Sequence, residues 1–418
     1  MQRLTPSQHN KDEKRRNQLV DTADKKRKSC ANGGKQSHDA QLYLCVLNHF
    51  SSHPPLYNNV KVPSLRLKEF ALPGRLIVFP STMLYYKNST LSYQWALMRR
   101  QFVLNNSLRF FPVGLFSSIM GLCGLSIAYQ RFEQVFELQL GIGISLLIVA
   151  CIVFILVSFA YAAKYFNHRT DTINEFNHPV KASFFPAISI SLLLLSIGML
   201  DIAKDAAQYL WMAGTGLQFV FTVTIMSRWI NRSYEIVHSN PSWFLPVVGN
   251  ILVPVAGVEF AHRELTWFFF SIGAFFGSVL FTIIFYRITF HSQLPAKLMS
   301  TLFILVAPPA VGFVAYTKLT GEMDNFARVL LYVAIFLVVL LLSMARNFTG
   351  INFFVSWWAY TFPMCAVTIA AIMAFQFTGL AAFRWIATVL LALTTAIIAI
   401  VAVKTIQAFR QNAICVED

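Results

Sequence analysis

Apolar residues in this chain gather in long blocks rather than alternating with polar ones. From residue 110 onward, windows of about 20 mostly apolar residues follow one another with short polar breaks, and that length matches a helix crossing a bilayer core. Ten such windows are readable, at approximately residues 111–129, 140–163, 183–200, 206–227, 242–260, 265–286, 298–317, 328–345, 353–378 and 380–403. None has a central Asp, Glu, Lys, Arg or His. Glu259 and Arg328 stand at window ends, and Arg384 is just inside the last window. The predicted fold class is an all-α membrane protein of ten transmembrane helices.

Before residue 105 the pattern is different. The run KDEKRRNQLVDTADKKRKSCANGGKQ is polar and reads as disordered. The stretches LYLCVLNHF, PPLYNN and VPSLRLKEF keep neither a helical nor a strand period for long, so this part is read as poorly structured. The expected organisation is a basic cytoplasmic extension over 1–105, a ten-helix domain over 106–410 and a tail over 411–418. The first 30 residues hold no apolar run, so the first membrane helix is expected to direct insertion without a cleaved signal peptide. A start at Met98, before the basic Arg99 and Arg100, would keep all ten helices.

Proline adds a second regularity. Pro112, Pro186, Pro246, Pro254, Pro308, Pro309 and Pro363 all fall in windows 1, 3, 5, 7 and 9, and the even windows have none. A proline within a helix removes a donor and kinks it, and the freed carbonyls need protein or water because lipid cannot satisfy them. The odd helices are therefore expected inside, kinked and lining a pore, with the even helices as an outer ring. This gives five helical hairpins around a central axis.

Composition supports lipid as the solvent: 56% of the residues are hydrophobic and 13% charged, against roughly a quarter charged in soluble proteins. The net charge of +15 is concentrated before residue 100. It suits a solvated cytoplasmic tail or attraction to anionic lipid, and a nucleic-acid partner is not expected. Lys and Arg also favour the breaks after even helices, among them Lys164, Arg169, Lys181, Arg228, Arg287, Lys297 and Arg346. Acids cluster after odd helices, including Glu133, Asp201, Glu264 and Asp324. This bias places both termini in the cytoplasm, for a multi-pass protein of the plasma (inner) membrane.

Motifs for enzyme chemistry are missing: there is no phosphate-cradling glycine loop, zinc-type histidine pair, nucleophile elbow or aspartate-rich pair. The six cysteines show no metal or redox spacing, and no cofactor, metal or catalytic residue is assigned. Coupled transport usually needs intramembrane carboxylates or histidines, so their absence favours a passive pore. Kinked backbone, helix N-termini and Ser, Thr or Asn side chains can stabilise an anion there. His178 and Lys181, before helix 3, are candidates for a cytoplasmic vestibule that draws anions, or are snorkelling anchors. Asn250 could bond a neighbouring helix or an ion.

The string NFTGINFFVSWWAYTFPM at 347–364 resembles the ninth-helix signature of the plant slow-type anion channels, and more loosely that of the bacterial tellurite-resistance protein TehA. FFPVGLFSSIMGLCGLS at 110–126, EFNHPVKASFF at 175–185 and NPSWFLPVVGN at 240–250 match in the same order. The chain thus resembles the tellurite-resistance/dicarboxylate transporter family from about residue 110 onward. That resemblance implies five hairpins around a pore, a homotrimer with one pore per copy, and a phenylalanine of helix 9 closing the pore. By the TFPM segment that residue is Phe362. It implies small inorganic or carboxylate anions as partners of a passive channel. Exporters of C4-dicarboxylate, sulfite or tellurite-type anions in the family keep a proton-coupled exporter as the alternative.

Overall fold

The computed structural model describes residues 68–72, 75–79, 108–348 and 350–415, in two units that are taken separately. In the first, Lys68–Leu72 (β1) and Arg75–Phe79 (β2) form an antiparallel ladder that pairs Lys68 with Phe79 and Leu72 with Arg75. This ladder is the described part of an extension that reads in the sequence as poorly structured and without a strand. The dipeptide Pro73-Gly74 between the strands is a turn signal, but Leu76, Ile77 and Val78 are apolar in succession, so no period-2 pattern marks β2. The rest of the expected extension, with its Lys and Arg run and Met98, lies outside the described residues.

The second unit is helical. Among the described residues, nine helices are long and apolar enough to cross a membrane. They are spans 1 (Val113–Val135), 2 (Ile142–Asn167), 3 (Lys181–Met199), 4 (Lys204–Asn231), 6 (Arg263–Phe290), 7 (Ala296–Thr320), 8 (Asn325–Ser343), 9 (Val355–Thr378) and 10 (Ala381–Arg410). The expected fifth helix is a shorter apolar segment, Pro241–Gly257, in which 3-10 and α turns alternate. Pro246 and Pro254 account for the break, since neither can donate to a regular α ladder. Every residue of this fifth segment is buried.

Burial separates the two sets. In an 18-residue window, 78 to 89% of residues are buried in spans 1, 3, 7 and 9, against 17 to 33% in spans 2, 4, 6, 8 and 10. The outer set turns Phe159, Phe275 and Trp385 outward, as a lipid-facing surface requires. Small residues let each inner segment approach its outer neighbour. Ser126 of span 1 donates to Gly143 O of span 2 at 2.7 Å, and Gly273 of span 6 lies against Ile251.

The inner segments share a further feature. Each begins in 3-10 turns, at Val113–Leu115, Lys181–Phe184, Pro241–Trp243, Ala296–Val306 and Val355–Tyr360, and then continues as an α-helix. Most of these prolines cluster at the changes of helix type. Pro112 precedes the first 3-10 turn, Pro186 precedes the α part of span 3, Pro254 and Pro308 stand in the first α turn, and Pro309 and Pro363 follow closely. A proline there withholds a donor where the ladder changes from 3-10 to α bonding. Pro246, inside Phe244–Val248, sits mid-segment.

Candidate functional site: a cavity among the inner segments

A cavity of about 870 Å³ lies among the five inner segments. Toward the starts of these segments its wall is charged: Arg109, Lys164, Lys181 and Lys297 outnumber Asp171 and Glu175. Further along, each segment contributes an apolar side chain, Met120, Ile190, Leu252, Val311 and Phe362. No Asp, Glu, Lys, Arg or His among the described residues joins that apolar part of the wall. A partly hydrated anion can therefore be attracted at the charged end but finds no charged partner at the apolar end.

Phe362 stands in the first α turn of span 9, directly after the 3-10 turns and before Pro363. Its side chain lines the cavity yet is buried. Of the seven prolines singled out in the sequence, Pro112 and Pro363 line the cavity; the other five belong to the same inner segments without contributing to its wall. His178 and Lys181 both line the charged end. The His178 Nδ1 accepts from the backbone N–H of Val180 at 3.2 Å and of Lys181 at 3.3 Å, holding the turn that leads into span 3.

The charged end contains an arrangement that reading of the sequence missed. Lys164, near the end of span 2, is buried, and its ammonium donates to Glu175 Oε2 at 2.6 Å and to Phe111 O at 2.7 Å. Glu175 also accepts from Tyr161 OH at 3.2 Å and from the Val113 N–H at 3.0 Å. That last bond satisfies one of the orphan donors at the start of span 1. Nearby, Arg109 grips Asp171 with two bonds, at 3.0 and 3.1 Å. The short helix Arg169–Asn177 is thus fastened by one ion pair to Arg109, just before span 1, and by a second to Lys164 of span 2. In the sequence Lys164 counts only toward the positive-inside bias, and the available signal was the pair of aromatics, Tyr165 and Phe166, that follows it.

Asn250, fully buried, donates to Thr222 Oγ1 at 2.9 Å and to Val247 O at 2.8 Å, so it links neighbouring segments. Its Oδ1 has no partner among the described residues. Among the described residues no group of three or more His, Cys, Asp or Glu gathers as a metal site.

The family model described as voltage-dependent anion channel (SLAC1) matches residues 110–406. This chain belongs to that family. It is 30% identical over 273 residues to the S-type anion channel SLAH3 of Arabidopsis thaliana, an alignment covering 63% of this chain and 42% of the relative. With the guard cell S-type anion channel SLAC1 of the same plant the identity is 26% over 307 residues, covering 71% and 55%. A tellurite resistance protein TehA homolog of Haemophilus influenzae is 26% identical over 263 residues, covering 62% and 80%. The chain spans about half the length of the plant channels it matches. Family and apolar helices together make it a multi-pass membrane protein. These relatives bear the names of channels and a resistance protein, not of enzymes.

Proposed function

We propose that this protein is a passive channel for small inorganic or carboxylate anions, with Phe362 closing the path. The observation that carries the reading is the cavity itself, basic at one end and apolar at the other, with no carboxylate or histidine on the apolar wall. An ion crossing such a wall faces a desolvation barrier and meets no titratable relay for a coupled proton. The names of the plant relatives support the same activity. On this reading residues 106–410 form the channel domain, 1–105 a cytoplasmic extension and 411–418 a tail. The charge bias of the loops supports cytoplasmic termini in a plasma (inner) membrane. A homotrimer with one path per copy follows the family resemblance.

The experiment is current recording from the full chain in planar bilayers with anion substitution. The expected result is a current whose reversal potential follows the anion gradient and ignores an imposed pH gradient. Electroneutral uptake that requires a proton gradient would overturn the channel and establish the exporter of C4-dicarboxylate, sulfite or tellurite-type anions.

A further inference from the structure

At the opposite end of the inner spans lies a second, smaller cavity of about 370 Å³. It is lined by Arg131 of span 1, Thr317 and Lys318 of span 7, and Met373, Gln376 and Phe377 of span 9. On span 9 it begins roughly 16 Å beyond Phe362 along the helix axis. The inner segments run in one direction, so their carbonyl ends gather here, and carbonyl ends repel anions. The neighbouring loops are acidic, with Glu133, Asp201, Glu259, Glu322 and Asp324. An anion travelling along the axis would meet its least favourable potential at this end.

Two cations nevertheless converge on this cavity from different helices. Arg131 and Lys318 are close enough to repel each other. Arg131 donates to the uncharged Gln134 Oε1 at 2.9 Å, and Lys318 has no hydrogen bond or ion pair recorded among the described residues. Glu259 and Asp201 attract Lys318 without pairing with it, and Glu259 is held by Lys204 at 3.1 Å. Lys318 stands in the last turn of span 7, where it also offsets that helix's carbonyl end. It and Arg131 both line one cavity whose wall has no carboxylate.

We propose that this cavity is a second anion site, which takes one small monovalent inorganic anion, such as chloride or nitrate, between the Arg131 guanidinium and the Lys318 ammonium. The Gln376 amide adds a neutral donor, while the Thr317 hydroxyl is already engaged with Phe313 O at 2.8 Å. Its place as the far station of a conduction path rests on the channel reading above, whereas the binding itself does not.

The test is nitrate titration of the purified full chain, read as the rise in thermal unfolding midpoint, with gluconate holding ionic strength constant. Ligand binding to the folded state stabilises it by RT ln(1 + L/Kd), where L is the free ligand concentration, so the midpoint rises with the logarithm of nitrate concentration above Kd. Lys318→Gln and Arg131→Gln should each weaken the apparent nitrate affinity about tenfold or more, while Lys318→Arg retains it. Arg384→Gln, an exposed charge at the same end outside the cavity, controls for net charge. Identical nitrate titrations in all four variants and wild type would overturn the site. In bilayers, Lys318→Gln should raise the half-saturating nitrate concentration on this side only. Nitrate binding that depends on Lys318 without current in any variant would sink the channel reading and leave the site standing; current with Lys318-independent binding would do the reverse.

Discussion

The ring of Phe362 lies against Gly124, one turn of span 1 beyond the cavity-lining Met120: a methyl group added at Gly124 would meet Phe362 Cδ2 at 3.4 Å. The same methyl group would meet Cys365 Cβ at 2.8 Å, closer than two carbons can stand. Phe362 therefore has the cavity on one side and the backbone of span 1 on the other. Its position depends on glycine at 124.

Gly124→Ala is expected to force spans 1 and 9 apart. Overpacking of this kind costs about 1–3 kcal/mol, to be read as a lower unfolding midpoint. Adding Cys365→Gly removes the opposing Cβ, and the double variant should recover most of the loss. A Gly124→Ala protein as stable as wild type would show that the two helices are not held this tightly.

The buried pair Lys164 and Glu175 makes a second expectation. Glu175→Gln keeps an acceptor for the Val113 N–H but leaves the Lys164 ammonium buried beside a neutral amide. Removing one partner of a buried pair costs about 3–5 kcal/mol. Lys164→Met alone should be similarly harmful, and the double variant less so than the sum. A thermal-denaturation double-mutant cycle checks this, with additive losses counting against the pair.

Gln218 of span 4, fully buried, accepts from Ser189 Oγ of span 3 at 2.6 Å and donates to Leu245 O at 3.2 Å and Pro246 O at 3.1 Å of the fifth segment. It supplies side-chain donors where the broken fifth segment has carbonyls to satisfy. Gln218→Ala should lower stability by about 1–3 kcal/mol for the stranded polar groups. Gln218→Glu should be worse, because the carboxylate faces those carbonyls with no donor. A midpoint unchanged in Gln218→Ala would mean that Thr222 and Asn250 satisfy Pro246 O unaided.

The inner and outer rings were legible in the sequence because a single residue type marked them: prolines in alternate windows required protein or water nearby, and burial follows that alternation. The 3-10 turns were not legible. In SWWAYTFP and STLFILVAPPA nothing distinguishes a 3-10 from an α ladder, since side chains recur every three or four positions in both. The gap in the fifth helix was announced by Pro246 and Pro254 but read as a kink instead of a segment too short to count as a span. Lys164 shows the limit for the site. Its side chain reaches Glu175 and Phe111 only because span 2 packs against the start of span 1, and loop charge counting carries no such information. Arg131 and Lys318 are separated by nearly two hundred residues and meet only through the packing of spans 1, 7 and 9.

The last prediction concerns Phe362→Ala. On the channel reading this ring closes the path at the apolar end of the cavity, where the wall offers Met120, Ile190, Leu252 and Val311 and no charged partner. A hydrated anion reaching it must shed water without replacement ligands, so the barrier is one of desolvation. Truncation to Ala enlarges the aperture and lets water through, and anion current per assembled protein should rise severalfold or more. A phenylalanine that serves packing alone behaves differently. Phe313 of span 7 is fully buried and outside the cavity wall, and Phe313→Ala should cost about 3–5 kcal/mol of stability without new current. The comparison requires currents normalised to folded protein for both variants. Well-folded Phe362→Ala with a current equal to wild type would remove this ring as the closure and point to Met120 or Leu252, which line the same cavity from span 1 and the fifth segment.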